Sequence, residues 1–174
     1  FEGLPKSPEE LTERIDGADV VIVGWSNLPE DIINLAENLK LISIWATTCH
    51  YVDLEAATRR GIMVTHVPGY ATEAVAEYAF GLLLAAVRKL RLADMHVRRG
   101  EFDWRLFRGI ELAGKTLGII GYGKIGKETA KMASALGMNI VVYDPYVNNN
   151  KFAATLDKLL EKSDFITIHI PLTS

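Results

Sequence analysis

The chain has 174 residues, 49% of them hydrophobic, and a formal net charge of −3. That length suits one domain or one and a half with a real core, and the charge gives no basic surplus for nucleic acid. One cysteine excludes an internal disulfide and favours a reducing, cytoplasmic setting, while no apolar run reaches membrane-spanning length and no signal peptide is visible.

Phe1 to Pro8 reads as an irregular start. Ser7 is placed to cap a helix from Pro8 to about Ile15, with Glu10 three residues after the cap. Asp19 to Val23 is an apolar strand closed by Gly24. Pro29 to Asn38 reads as a helix, Leu41 to Trp45 as a strand, Asp53 to Arg60 as a helix ended by Gly61, and Ile62 to Thr65 as a strand. Strands alternating with helices predict right-handed crossovers and a parallel sheet. This first unit carries no glycine fingerprint, so it is not a second dinucleotide site of the same kind.

Val67-Pro68-Gly69 breaks the pattern. One long helix is predicted next, from about Ala71 to Arg99. Its first half, Ala74 to Val87, is almost wholly apolar, which predicts burial between layers. Its second half carries Arg88, Lys89, Arg91, Arg98 and Arg99, a solvated face with cations near the helix C-terminus. Glu73 and Glu77 suit the dipole at its start. Gly100 to Gly114 reads as a loop whose Phe102, Trp104 and Phe107 call for packing against another domain or subunit.

The stretch Lys115 to Asp144 carries the most information. Thr116-Leu117-Gly118-Ile119-Ile120 is a short apolar run, as expected for a strand buried on both faces. Gly121-Tyr122-Gly123-Lys124-Ile125-Gly126 follows at once, then a helix from Lys127 to Leu136 with Ala130, Ala133 and Leu136 on one face, then a strand, Asn139 to Tyr143, ending on Asp144. In this setting Gly121 permits a tight turn, Gly123 lets a pyrophosphate approach the backbone, and Gly126 lets helix and strand pack closely. The N–H groups and dipole at the helix start attract phosphate. Asp144 would accept hydrogen bonds from ribose hydroxyls and repel a 2′-phosphate, which favours NAD over NADP. Asn148 to Asn150 is then a polar turn, Thr155 to Lys162 a short amphipathic helix, and Phe165 to Ile168 a last strand whose edge needs a partner.

His50, His66, His96 and His169 are scattered, with no metal-ligand spacing, and read as structural or surface residues. Cys49 reads as a small half-buried side chain.

Five segments taken together resemble the D-isomer-specific 2-hydroxyacid dehydrogenases, particularly the phosphoglycerate dehydrogenase and hydroxypyruvate/glyoxylate reductase members. They are VDLEAATRRGIMVTHVPG (Val52 to Gly69), EAVAEYAFGLLLAAVR (Glu73 to Arg88), ELAGKTLGIIGYGKIG (Glu111 to Gly126), ALGMNIVVYDP (Ala135 to Pro145) and SDFITIHIPLTS (Ser163 to Ser174). The resemblance implies an α/β chain with two incomplete lobes. Residues 1–67 would be part of a flavodoxin-like substrate domain. Residues 68–174 would be part of a Rossmann-type NAD-binding domain, with the long helix 71–99 at the junction and dimer interface and the active site in the cleft between lobes. It further implies that Lys124 and Ile125 hold the pyrophosphate, where the family usually has Arg-Ile, and that Asp144 takes the adenine ribose. Ile170 and Pro171 would line the adenine side with His169 beside them, and Thr47 would touch the nicotinamide half.

The family's substrate loop commonly reads Gly-Thr-Gly; here it reads Ala46-Thr47-Thr48, so the acid substrate is expected to differ from that of the better-known members. Family members reduce a 2-keto acid using an arginine, a glutamate and a histidine that all lie beyond the equivalent of Ser174. The resemblance therefore assigns no catalytic residue to this chain, whose two ends look cut, and predicts that the chain is inactive by itself. It also implies a homodimer through the long helix and the loop 100–114. The alternative is a non-catalytic, co-repressor-like module that uses NAD to control assembly.

Overall fold

A computed structural model describes residues 3–147 and 151–171. It contains two compact units that meet in sequence at Tyr70 and Ala71.

In the first unit, β1 (Val20–Val23), β2 (Leu41–Ile44) and β3 (Met63–His66) form a parallel sheet in the order β1-β2-β3. Helices α1 (Pro8–Ile15), α2 (Glu30–Leu35) and α3 (Leu54–Arg59) connect and cover it. Their starts follow side-chain chemistry. Ser7 Oγ accepts the Glu10 N–H at 3.2 Å, and Asp53 accepts the Ala56 N–H at 2.9 Å. Glu10 reaches back to the Lys6 N–H at 2.8 Å, one residue before the cap. Val21, Val23, Ile42 and Ile44 pack with Leu11, Ile15, Ile32, Ile33, Ala56 and Ala57, while Val20, Ile22 and Met63 point outward and are exposed.

In the second unit, β4 (Thr116–Ile120) lies between β5 (Asn139–Tyr143) and β6 (Phe165–Ile168), all parallel. A single parallel bridge, Val142 to Ala153, adds a rudimentary strand outside β5. Leu117, Gly118 and Ile119 are buried, as a strand covered on both faces requires. Gly118 is there for packing: a Cβ would press on Ser163 Oγ and lie 2.7 Å from Leu159 Cδ2, so α7 (Leu156–Lys162) could not sit where it does. Helix α6 (Lys124–Ala135) begins three residues before the predicted Lys127, directly at the glycine turn. Its buried face is Gly126, Thr129, Ala130 and Ala133, whereas Leu136, expected on that face, caps the helix and is exposed. The Asn148 to Asn150 turn lies outside the described residues.

Two expectations for the predicted helix 71–99 need correction. It is two helices, α4 (Thr72–Val87) and α5 (Leu90–Arg98), with Lys89 between them in the left-handed region at φ 54°. The segment after α5 folds back on the break: Ile110 N–H donates to Val87 O at 3.0 Å, and Lys89 Nζ donates to Leu106 O at 3.3 Å. The Val87 carbonyl, which a continuous helix would offer to Arg91, is thus taken by the loop. Nor is the apolar half buried all round. Ala76, Phe80 and Val87 are buried and α4 packs on α6, but Tyr78 is 70% and Leu82 57% exposed. Apolar composition marks what α4 can bury, not what covers each face. In the loop, Trp104–Phe107 forms a 3-10 turn; Phe102 and Trp104 are exposed, and Phe107 packs against the His96 ring at 5.1 Å.

Candidate dinucleotide-binding site

The site is built at the carboxyl end of β4, where the chain turns into α6. This is the edge at which open parallel sheets hold ligands. Gly121 has φ +91° and donates its N–H to Tyr143 O at 2.9 Å, tying the turn to the end of β5. A Cβ there would be strained by φ and would lie 2.7 Å from both His169 O and Ile170 Cγ2. A Cβ on Gly126 would press on the Gly121 carbonyl, so helix and strand meet with nothing between them. Gly123 is different: a Cβ there would meet nothing within 4 Å. The turn is therefore closed at both ends and open in the middle. Gly123 is the N-cap of α6 and gives it no side-chain acceptor, so the N–H groups and positive dipole end of a twelve-residue helix face that opening.

Asp144 joins the turn from the end of β5. Its Oδ2 accepts the Tyr122 N–H at 2.7 Å and its Oδ1 accepts the Tyr146 N–H at 2.9 Å. A carboxylate oxygen has room for a second donor, so both retain a lone pair for an incoming hydroxyl. A groove of about 550 Å³ opens beside it, lined by Tyr143, Asp144, Pro145, Val147, Thr155 and Lys158. Lys124 is exposed at the first position of α6, and Lys127 Nζ lies 5.9 Å from the Tyr122 ring centroid. The open cradle at Gly123, the helix start and the carboxylate form a set that fits a dinucleotide's pyrophosphate and ribose.

His169 sits behind the turn rather than in the opening. Its Nε2 is 3.0 Å from Thr167 Oγ1 and 3.2 Å from Thr129 Oγ1. Burial pushes its pKa below the ordinary 6.5. Ile170 packs on Gly121, and Pro171 is exposed beyond it.

The structure thus gathers Gly121, Gly123, Lys124, Ile125, Gly126, Asp144, His169, Ile170 and Pro171 around one turn. Ala46, Thr47 and Thr48 belong to the first unit, in the loop leaving β2 at the carboxyl edge of its sheet. Ala46 is buried and its carbonyl accepts the Val67 N–H at 3.1 Å. His66 Nδ1 lies 3.2 Å from Thr47 O, and Thr48 Oγ1 lies 2.6 Å from His50 Nδ1. Cys49 is half-buried against the core of that unit.

Sequence reasoning missed three contributors: Tyr122 and Tyr146, which act through backbone N–H groups, and Thr129, whose signal was a hydroxyl on the buried face of α6. It also missed the pairing of His96 Nδ1 with Glu101 at 2.6 Å, formed because the chain turns back at the end of α5. Among the described residues, no three His, Cys, Asp or Glu side chains are grouped as a metal site, and no helix is long and apolar enough to cross a membrane.

The family model for "D-isomer specific 2-hydroxyacid dehydrogenase, NAD binding domain" matches residues 80–174. A D-3-phosphoglycerate dehydrogenase of Methanocaldococcus jannaschii is 43% identical over 179 residues, covering 98% of this chain and 34% of that protein. The TT0316 protein of Thermus thermophilus superposes with a TM-score of 0.92 at 36% identity, over 98% of this chain and 57% of that one. An acyclic imino acid reductase, Bsp5, solved with NADPH and D-Arg, superposes with a TM-score of 0.88 at 33% identity, over all of this chain and 57% of that one. The chain thus spans about a third to a little over half of the length of these relatives. With the matched residues exceeding half of its length, the chain belongs to the D-isomer-specific 2-hydroxyacid dehydrogenase family, carrying its Rossmann fold and its NAD-binding domain.

Proposed function

We propose that the protein is an NAD-dependent oxidoreductase that transfers a hydride between NAD(H) and a small 2-hydroxy or 2-keto acid. The observation that carries this reading is the opening at Gly123, where a helix start and a ribose-ready carboxylate converge on backbone that no side chain covers. NAD, when bound, supplies the hydride chemistry.

The chain's own residues bind and orient. The N–H groups of Gly123, Lys124 and Ile125 take the pyrophosphate, with Lys124 adding a positive charge. Asp144 accepts the ribose hydroxyls, and Ile170 and Pro171 line the adenine side. On the first unit, Thr47 is assigned to the nicotinamide half and the Ala46 to Thr48 loop to the acid's carboxylate. In this reading residues 1–67 serve the substrate and 68–174 the nucleotide. The groups that bind the keto acid and deliver its proton lie outside these residues, so the chain by itself binds NAD(H) without turnover. The exposed apolar side chains of α4 and α5 and of the 100–114 segment support a homodimer.

The test is NADH oxidation with glyoxylate and hydroxypyruvate, by this chain and by the full polypeptide that carries it. Turnover by the full polypeptide and none by this chain is expected. NADH binding without turnover by the full polypeptide would favour an assembly module. Steady turnover by this chain would place the proton donor within these residues.

A further inference from the structure

We propose that His169 is a positioning residue for the dinucleotide turn, holding both ends of Gly121–Gly126 from a strand outside the glycine motif. The proposal rests on the nucleotide-binding reading above.

The first end is held by the His169 backbone. Its N–H donates to Ile120 O at 2.8 Å, and its carbonyl lies against Gly121, where a Cβ would be only 2.7 Å away. The second end is held by its ring. Thr129 is 1% exposed, and its hydroxyl proton goes to Ile125 O at 2.9 Å. Having one proton, that hydroxyl must be the acceptor in its contact with His169 Nε2 at 3.2 Å, so Nε2 carries the hydrogen. Thr167 Oγ1, at 3.0 Å, shares the same N–H from β6. The result is a chain of contacts from β6 through the ring and Thr129 to the Ile125 carbonyl in the first turn of α6. Ile125 is one of the residues whose N–H groups face the opening.

A buried hydroxyl with both hydrogen-bonding roles filled has little freedom to shift. The ring therefore sets where α6 starts relative to β4, which fixes the aim of the N–H groups at the pyrophosphate. His169 acts on the nucleotide through the turn and does not need to touch it.

The experiment is NADH titration by fluorescence on the full polypeptide, with thermal midpoints measured alongside. His169→Leu and Thr129→Val should each weaken NADH about tenfold, and the double variant about tenfold rather than about a hundredfold, because both cut the same chain of contacts. His169→Gln, which can present an N–H near the position of Nε2, and Thr129→Ser should stay within about threefold of the unaltered protein. Lower midpoints with unchanged NADH affinity in the Leu and Val variants would overturn the proposal, leaving His169 a packing residue. Additive losses in the double variant would also overturn it. If His169→Leu does not fold, Thr129→Val alone decides by the same readout. Failure of the unaltered protein to bind NADH would overturn the nucleotide reading, and this proposal with it.

Discussion

The Tyr122 backbone N–H donates to Asp144 Oδ2 at 2.7 Å, joining the second residue of the glycine turn to the acid at the end of β5. The bond gives Asp144 two tasks: it faces the ribose and it holds the turn. Asp144→Ala removes both. NADH affinity should fall roughly tenfold to a hundredfold, the worth of one or two hydrogen bonds to a charged group. Discrimination against NADPH should relax mainly because NADH is lost, since the loosened turn penalises both nucleotides. Parallel titrations with NADH and NADPH check this. An unchanged preference would mean that Asp144 does not meet the ribose.

Gly123 and Gly126 should fail in opposite ways. Gly123→Val projects into open space at a φ of −73°, which valine tolerates, so the thermal midpoint should hold while NADH binding is lost. Gly126→Ala drives a methyl group against the Gly121 carbonyl and should cost about 1–3 kcal/mol of stability, measured by denaturant unfolding.

This contrast shows how far the sequence could be read. The strand, turn, helix, strand and acid between Thr116 and Asp144 were legible because each rests on local chemistry: apolar runs, glycines at fixed offsets, a charge at a strand end. The parallel order was legible from alternation alone. The break at Lys89 was not, because its cause is a carbonyl taken by residues about twenty positions away. The inward role of His169 was equally hidden, since it depends on which way one ring turns at the end of β6. The exposure of Tyr78 and Leu82 was missed for a third reason: composition says that a residue is apolar, not that something covers it.

Asp164 ties the starts of β4 and β6 together. Its carboxylate accepts the Thr116 N–H at 2.8 Å and lies 3.2 Å from Lys115 Nζ. The Thr116 N–H, then Lys115, hold its pKa below the ordinary 3.8. A carboxyl whose folded pKa is depressed adds stability that is present above its unfolded pKa and lost as pH falls through the folded value. Stability should therefore decline below about pH 4, and Asp164→Asn should be less stable at neutral pH and flatter across that acid window. Unfolding curves from pH 7 to pH 2 would show it. Parallel curves for the two proteins would refute it.

Leu82 is exposed on α4, so Leu82→Glu should leave the stability of an isolated chain within about 0.5 kcal/mol. If a second copy covers that helix, the same change should abolish self-association in light scattering. An unaltered protein that stays monomeric at high concentration would count against the dimer.

The central claim is that the turn at Gly123 holds NAD. The most direct measurement is equilibrium binding of NADH and NADPH to this chain, unaltered and as Gly123→Val. The account predicts saturable NADH binding, tighter than NADPH, that disappears in the Gly123→Val variant while its fold is retained. NADH binding that survives that substitution, or NADPH bound as tightly as NADH, would contradict it.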